Sequence, residues 1–170
     1  MSGMIRPADR FAACADAVMT ARGGFTPNDR LLDGPAAHGV GLGLLSVWIG
    51  GPADVPMLRA LTTDAAARIL HRMVWLPCGA PHFAEGVDLA LFAFALEAGT
   101  PRALAELQDH LGVPASGAPD AETLVAAAAQ DPALLARDVA ALHEAWRALR
   151  GLPSWAVPHA AARQSVPAEA

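Results

Sequence analysis

Residues 19–41 read MTARGGFTPNDRLLDGPAAHGVG. The first four close a helix that starts at Pro7, a good first-turn residue, and runs to Ala21 or Arg22. Gly23-Gly24 supplies a left-handed stop, because glycine adopts positive φ without steric cost. A loop of about 15 residues rich in Pro, Asn, Asp and Gly follows. Loops of that length inside compact domains are uncommon and tend to carry function or its remnants.

Outward from this stretch the pattern is helical. The chain of 170 residues is 54% hydrophobic but only 5% aromatic, with no Tyr. Ala and Leu therefore fill the interior, and both are strong helix formers. An uncharged, Gly-punctuated segment at 39–51 reads as buried core. Thr62 or Thr63 caps an amphipathic helix that extends to about Trp75. Residues 87–98 are apolar on nearly every side, as expected of a central buried helix closed by Gly99. Thr100-Pro101 caps the next helix, which Gly112 stops. Asp120 caps a short helix, and Asp131-Pro132 starts a long one with Leu135, Val139, Leu142, Trp146 and Leu149 on one face. Residues 153–163 are expected to add a short last helix and 164–170 a frayed tail. No period-2 strand pattern and no internal repeat is seen, so the expected fold class is all-α.

Composition also excludes functions. The net charge is −5, every basic residue besides His is Arg, and none of them form a polybasic run. No nucleic-acid partner is expected, since phosphate neutralisation needs clustered cations. The longest apolar stretch is too short and too rich in glycine to span a bilayer, so no membrane insertion is expected. Asp9 and Asp16 interrupt any secretory apolar region, which predicts cytoplasmic synthesis without a signal peptide. Cys14 and Cys78 are expected as reduced thiols. Cys78, His71 and His82 form no recognisable metal motif, so neither a metal nor a cofactor is expected.

The order of these features resembles glycoside hydrolase family 108, the phage-type N-acetylmuramidases also called secretion activators. That family shows a first helix ending in Glu-Gly-Gly and then an aromatic-x-Asn-Asp-Pro-x-Asp-Pro-Gly-Gly-x-Thr-x-Tyr-Gly-Ile loop. Here Arg22-Gly23-Gly24-Phe25 through His38-Gly39-Val40 is similar in length without a gap. Leu61-Thr62 through Trp75 resembles the following family helix, and Phe92 through Gly99 its buried Phe-Asp-x-Ala-Val-Asn-x-Gly helix. Leu107-Gln108 to Gly112, then Gly117 and Thr123-Leu124, resembles the family's peptidoglycan-binding tail, and Ser154-Trp155 its closing Gly-Trp. The resemblance implies a lysozyme-like single helical domain. It divides the chain into a muramidase-like part (1–99), a peptidoglycan-binding-like helical part packed on it (100–163) and the tail.

The resemblance also marks what is missing. The family's general-acid Glu corresponds to Arg22, and a guanidinium gives up no proton at working pH. The loop Asp and Thr correspond to Leu31 and Ala36, and the central-helix Asp and Asn to Ala93 and Glu97. These replacements imply a degenerate catalytic centre and no catalytic residues. Arg22, Asp33, His38, Trp75 and Glu97 are the candidate lining of the old cleft, although Trp75, Trp146 and Trp155 sit at positions that suit packing. The reversed charges of Arg22 and Glu97, with Asp33 nearby in sequence, suggest an ion pair plugging that cleft. Asp29, Asp33, Glu85 and Asp88 are expected in solvated or capping roles.

The expected function is then binding or structural. Its partner would be peptidoglycan or another cell-wall glycan, with phage-like particle or secretion proteins as further partners, and its place of action the cell wall. The rivals are an active glycan hydrolase that uses relocated carboxylates and a purely structural interaction module. The chain's negative charge suits the last, because walls are themselves anionic.

Overall fold

The computed structural model describes residues 7–155, with side chains from Arg10 onward. These residues are mostly helical, as the Ala/Leu-rich composition predicts. They fall into two compact units that divide after Trp75.

In the first unit, α1 (Pro7–Arg22) buries Cys14, Ala15 and Val18, one stripe at i, i+1 and i+4. Gly23, at φ 78, ends it, and its N–H donates to the Met19 carbonyl. The expected loop is instead a small antiparallel sheet: β1 (Thr26–Asp29), β2 (Gly34–Ala37) and β3 (Val40–Gly41), in that order. Gly, Pro, Ala, Asn and Asp are poor strand residues, so no alternation betrayed it. Turn geometry builds it. Ala37 pairs with Val40 across the two-residue turn His38-Gly39, whose φ values of 54 and 84 are both positive, as a type I′ turn requires.

Helices α2 (Leu42–Ile49) and α3 (Val55–Arg59) follow, then α4 (Thr63–Leu70), whose N-cap is Thr62 with its hydroxyl accepting from the Ala65 N–H. A wide π-type turn, His71–Trp75, carries the chain to a buried Trp75. The segment expected as buried core is only partly so. Val40 and Leu45 are buried, but Val47, Trp48 and Ile49 are exposed, because a two-turn helix packed on one side leaves its other face to solvent.

The second unit is organised around α5 (Val87–Ala98), which packs against α6 (Thr100–Leu111) and α8 (Pro132–Ala148). Ten of the twelve α5 residues are buried, including Phe92, Ala93 and Phe94, so its all-round apolar sequence is explained by contacts on several sides. Gly99 rather than Thr100 is the residue that caps α6. α7 (Ala121–Ala128) and α8 start at Asp120 and Asp131, whose carboxylates accept from Thr123 and Leu134. Leu135, Val139 and Trp146 are buried as expected, whereas Leu149 lies past the end of α8 and is exposed. Trp155 is buried. The expected last helix lies almost wholly, and the frayed tail wholly, outside the described residues.

Among the described residues no helix is long and apolar enough to cross a membrane.

Candidate functional site

The end of α1 and the hairpin after it form a compact polar centre. One Nη of Arg22 donates to Asp29 Oδ2 at 2.6 Å, and both side chains are nearly buried, at 10% and 13% exposure. Asp29 Oδ1 accepts from the Leu31 and Leu32 N–H groups at 2.9 and 3.0 Å. The carboxylate therefore makes the turn after β1 and holds the guanidinium at the same time. Asp29 does cap, as expected, but the ion pair to Arg22 is a further role that spacing alone did not reveal. Arg22 ends α1 and Asp29 ends β1, so the hairpin rather than helical spacing brings the two together.

Asp33, at φ 51, is exposed in the β1–β2 connection. His38 sits in the I′ turn, and its N–H donates to the Gly23 carbonyl at 3.1 Å, tying the turn to the end of α1. Leu31 is half-buried and Ala36, on β2, is buried. Neither side chain offers a proton or a hydrogen bond. Trp75 is buried with its ring edge-on to Phe11 at 5.4 Å, so in this unit it packs behind the surface.

A groove of about 460 Å³ opens beside this centre. It is lined by Phe11, Ala15, Asp16 and Met19 of α1, by the start of α4 with Asp64, and by Gly23, Gly24 and His38. Of the sequence-derived cleft residues, His38 is the one it contains.

Glu97 belongs to a different cluster, inside the second unit. Its Oε2 accepts from His143 Nε2 at 2.7 Å and from Arg147 Nη1, both on α8. Burial pushes the Glu97 carboxyl up, but the hydrogen bonds from His143 and Arg147 and their charges outweigh it and hold it below the usual range. The His143 ring stacks on Phe94 at 4.9 Å. Arg147 Nε also donates to the Pro153 carbonyl, and the Trp155 N–H donates to Glu144. The cluster thus fastens residues 153–155 to α8. His143 and Arg147 escaped the sequence reading, although they recur four residues apart on the face of α8 that carries Val139 and Trp146. The structure therefore gives Arg22 and Glu97 each a partner within its own unit.

The remaining acids are also placed. Asp88 is buried, and its Oδ1 accepts from the Gly86 and Leu89 N–H groups, which is a capping role, while Glu85 is exposed. Cys78 is buried, and desolvation pushes its thiol up to about 12. Among the described residues no three His, Cys, Asp or Glu side chains are grouped to hold a metal ion.

No protein-family model and no curated protein matches the chain. Among solved structures it is similar to that of SagA from Brucella abortus, with 26% sequence identity over 91% of this chain and 92% of that one and a TM-score of 0.77. The likeness runs through nearly the whole of both chains.

Proposed function

We propose that this chain is a non-hydrolytic, muramidase-like protein that binds cell-wall glycan. The observation that carries the reading is the Arg22–Asp29 pair at 2.6 Å. By the family resemblance, Arg22 stands at the place of the general acid, and its positive charge is kept there by a partner built into the hairpin. Both oxygens of that partner are engaged, one by Arg22 and the other by the Leu31 and Leu32 N–H groups, so Asp29 is committed to the turn and the ion pair. Retaining and inverting glycosidases alike need two carboxyl groups, one of them protonated, across a sugar. The similarity to SagA over 91% of the chain supports a related role, and the resemblance to wall-cutting enzymes supports peptidoglycan as the partner.

Turbidity loss and zymography on purified peptidoglycan, together with co-sedimentation of the protein with the insoluble polymer, test this reading. The expected result is sedimentation without lysis. Lysis at the rate of an intact muramidase would overturn it.

A second reading, a module that engages another protein, is favoured by the exposed Val47, Trp48 and Ile49 of α2 and Met57 of α3. Failure to sediment with peptidoglycan at low salt would favour that reading instead.

A further inference from the structure

We infer that the groove along α1 is a binding site for ammonium-bearing amino sugars, the de-N-acetylated units of a glucosamine polymer. The inference rests on the glycan-binding reading above and names the feature of the glycan that is recognised.

The argument begins with what lines the groove. Ala15 is buried, and Phe11 and Met19 are half-buried, which provides an apolar surface on α1. Phe11 is held in place by His71 and Trp75, whose rings meet it edge-on at 4.6 and 5.4 Å. Such a pre-set ring suits the apolar face of a pyranose, because its orientation costs nothing on binding. The volume of about 460 Å³ is that of a small-ligand site.

Two carboxylates then set the charge. Asp16 comes from α1 and Asp64 from the first turn of α4, and both are exposed within the lining. No Arg lines the groove, and Arg68, one turn on from Asp64, donates its Nε to the Asp64 backbone carbonyl at 3.4 Å. A divalent metal would need a third converging ligand, and Asp16, Asp64 and His38 form no such set. An organic cation needs no fixed coordination shell. A primary ammonium beside a ring body suits a groove that carries carboxylates and an apolar wall.

The net charge of the molecule points the same way. A chain at −5 is repelled by an anionic wall polymer. A free 2-amino group on that polymer is a cation that lessens this repulsion.

The test uses the full chain with three soluble probes, followed by calorimetry or amide chemical shifts: a glucosamine tetramer, its fully N-acetylated counterpart, and 1,4-diaminobutane. The glucosamine tetramer is expected to bind, to weaken with added salt, and to lose about fivefold in affinity for each of Asp16→Asn and Asp64→Asn. Shifts are expected at Phe11, Met19 and His38. Ala67→Leu, at a residue of α4 that also lines the groove, narrows it without altering charge and should weaken the tetramer as well. Equal binding of the acetylated tetramer, or indifference to both Asn variants, would overturn the charge argument. Binding of the diamine as tight as that of the tetramer would overturn recognition of the sugar. If both Asn variants still sediment with peptidoglycan as wild type does, the groove inference fails while glycan binding stands. If the tetramer binds but wild type does not sediment, the glycan-binding reading fails while the groove stands.

Discussion

Asp29 does two jobs with one carboxylate, and the consequence is an unusual dependence of the hairpin on a single side chain. Asp29→Ala removes the acceptor of the Leu31 and Leu32 N–H groups and leaves the nearly buried Arg22 guanidinium without this partner. The expected loss is about 2–3 kcal/mol, more than a surface pair would give, and chemical denaturation of the variant measures it. Glu97 makes a prediction about pH. Its folded pKa lies below the ordinary range because His143 and Arg147 outweigh desolvation. The stability it contributes is therefore fully present above the usual carboxylate range and lost as pH falls through the depressed folded value. Glu97→Gln should flatten that acid limb relative to wild type. Thermal melts of the two proteins between neutral pH and about pH 3 compare the slopes, and parallel acid limbs would contradict this assignment.

At the scale of elements, the region that resembles a peptidoglycan-binding tail owes its shape to Gln108. This fully buried side chain on α6 donates from Nε2 to Ser116 Oγ, the Ala118 carbonyl and Thr123 Oγ1, and its Oε1 accepts from the Gly117 N–H. Ser116 and Thr123 in turn donate to Asp120, the cap of α7. Sharing Asp120 with these donors holds its carboxyl below the usual range. Glycine at 117, φ 71, is required because a Cβ there would lie 3.1 Å from the Pro101 carbonyl oxygen. The spacing of Gln, Gly and Thr is therefore first a way to fasten the α6–α7 turn. Gln108→Leu keeps the volume but orphans several polar groups, and an expected cost of about 2–4 kcal/mol follows. Hydrogen exchange over 113–123 should rise in step, and unchanged protection there would refute the role.

For the molecule as a whole, the resemblance invites an attempt to restore the chemistry, and the structure says what such an attempt disturbs. Arg22→Glu would place a carboxylate against Asp29 in place of an ion pair, so the variant should be less stable and still fail to lyse peptidoglycan. Losing a general acid costs ~10²–10⁴-fold, and supplying one does not return the missing loop groups. Lysis is expected only when Leu31→Asp and Ala36→Thr accompany it. A turbidity assay of the single and triple variants decides, and strong activity from Arg22→Glu alone would show that another group already supplies the second role.

Much of the helical framework was legible in the residues because helices announce themselves locally. Asp120 and Asp131 cap the helices they precede, Gly23 and Gly112 stop the ones they follow, and the apolar run 89–95 of α5 is buried. The sheet was not legible. Its strands are made of residues with little strand preference, and it exists because the His38-Gly39 turn and the Asp29 turn fold the chain back. Exposure of Val47, Trp48 and Ile49 was hidden for a similar reason, since composition measures apolarity but not which face finds a neighbour. The ionic partners were the least visible of all. Arg22 and Glu97 were recognised as charges in need of compensation, yet what compensates them depends on distances across a hairpin and between two helices. Propensity and capping act over a few residues and can be read along the chain, whereas ion pairs between distant residues are set by tertiary geometry, which no spacing in the sequence encodes.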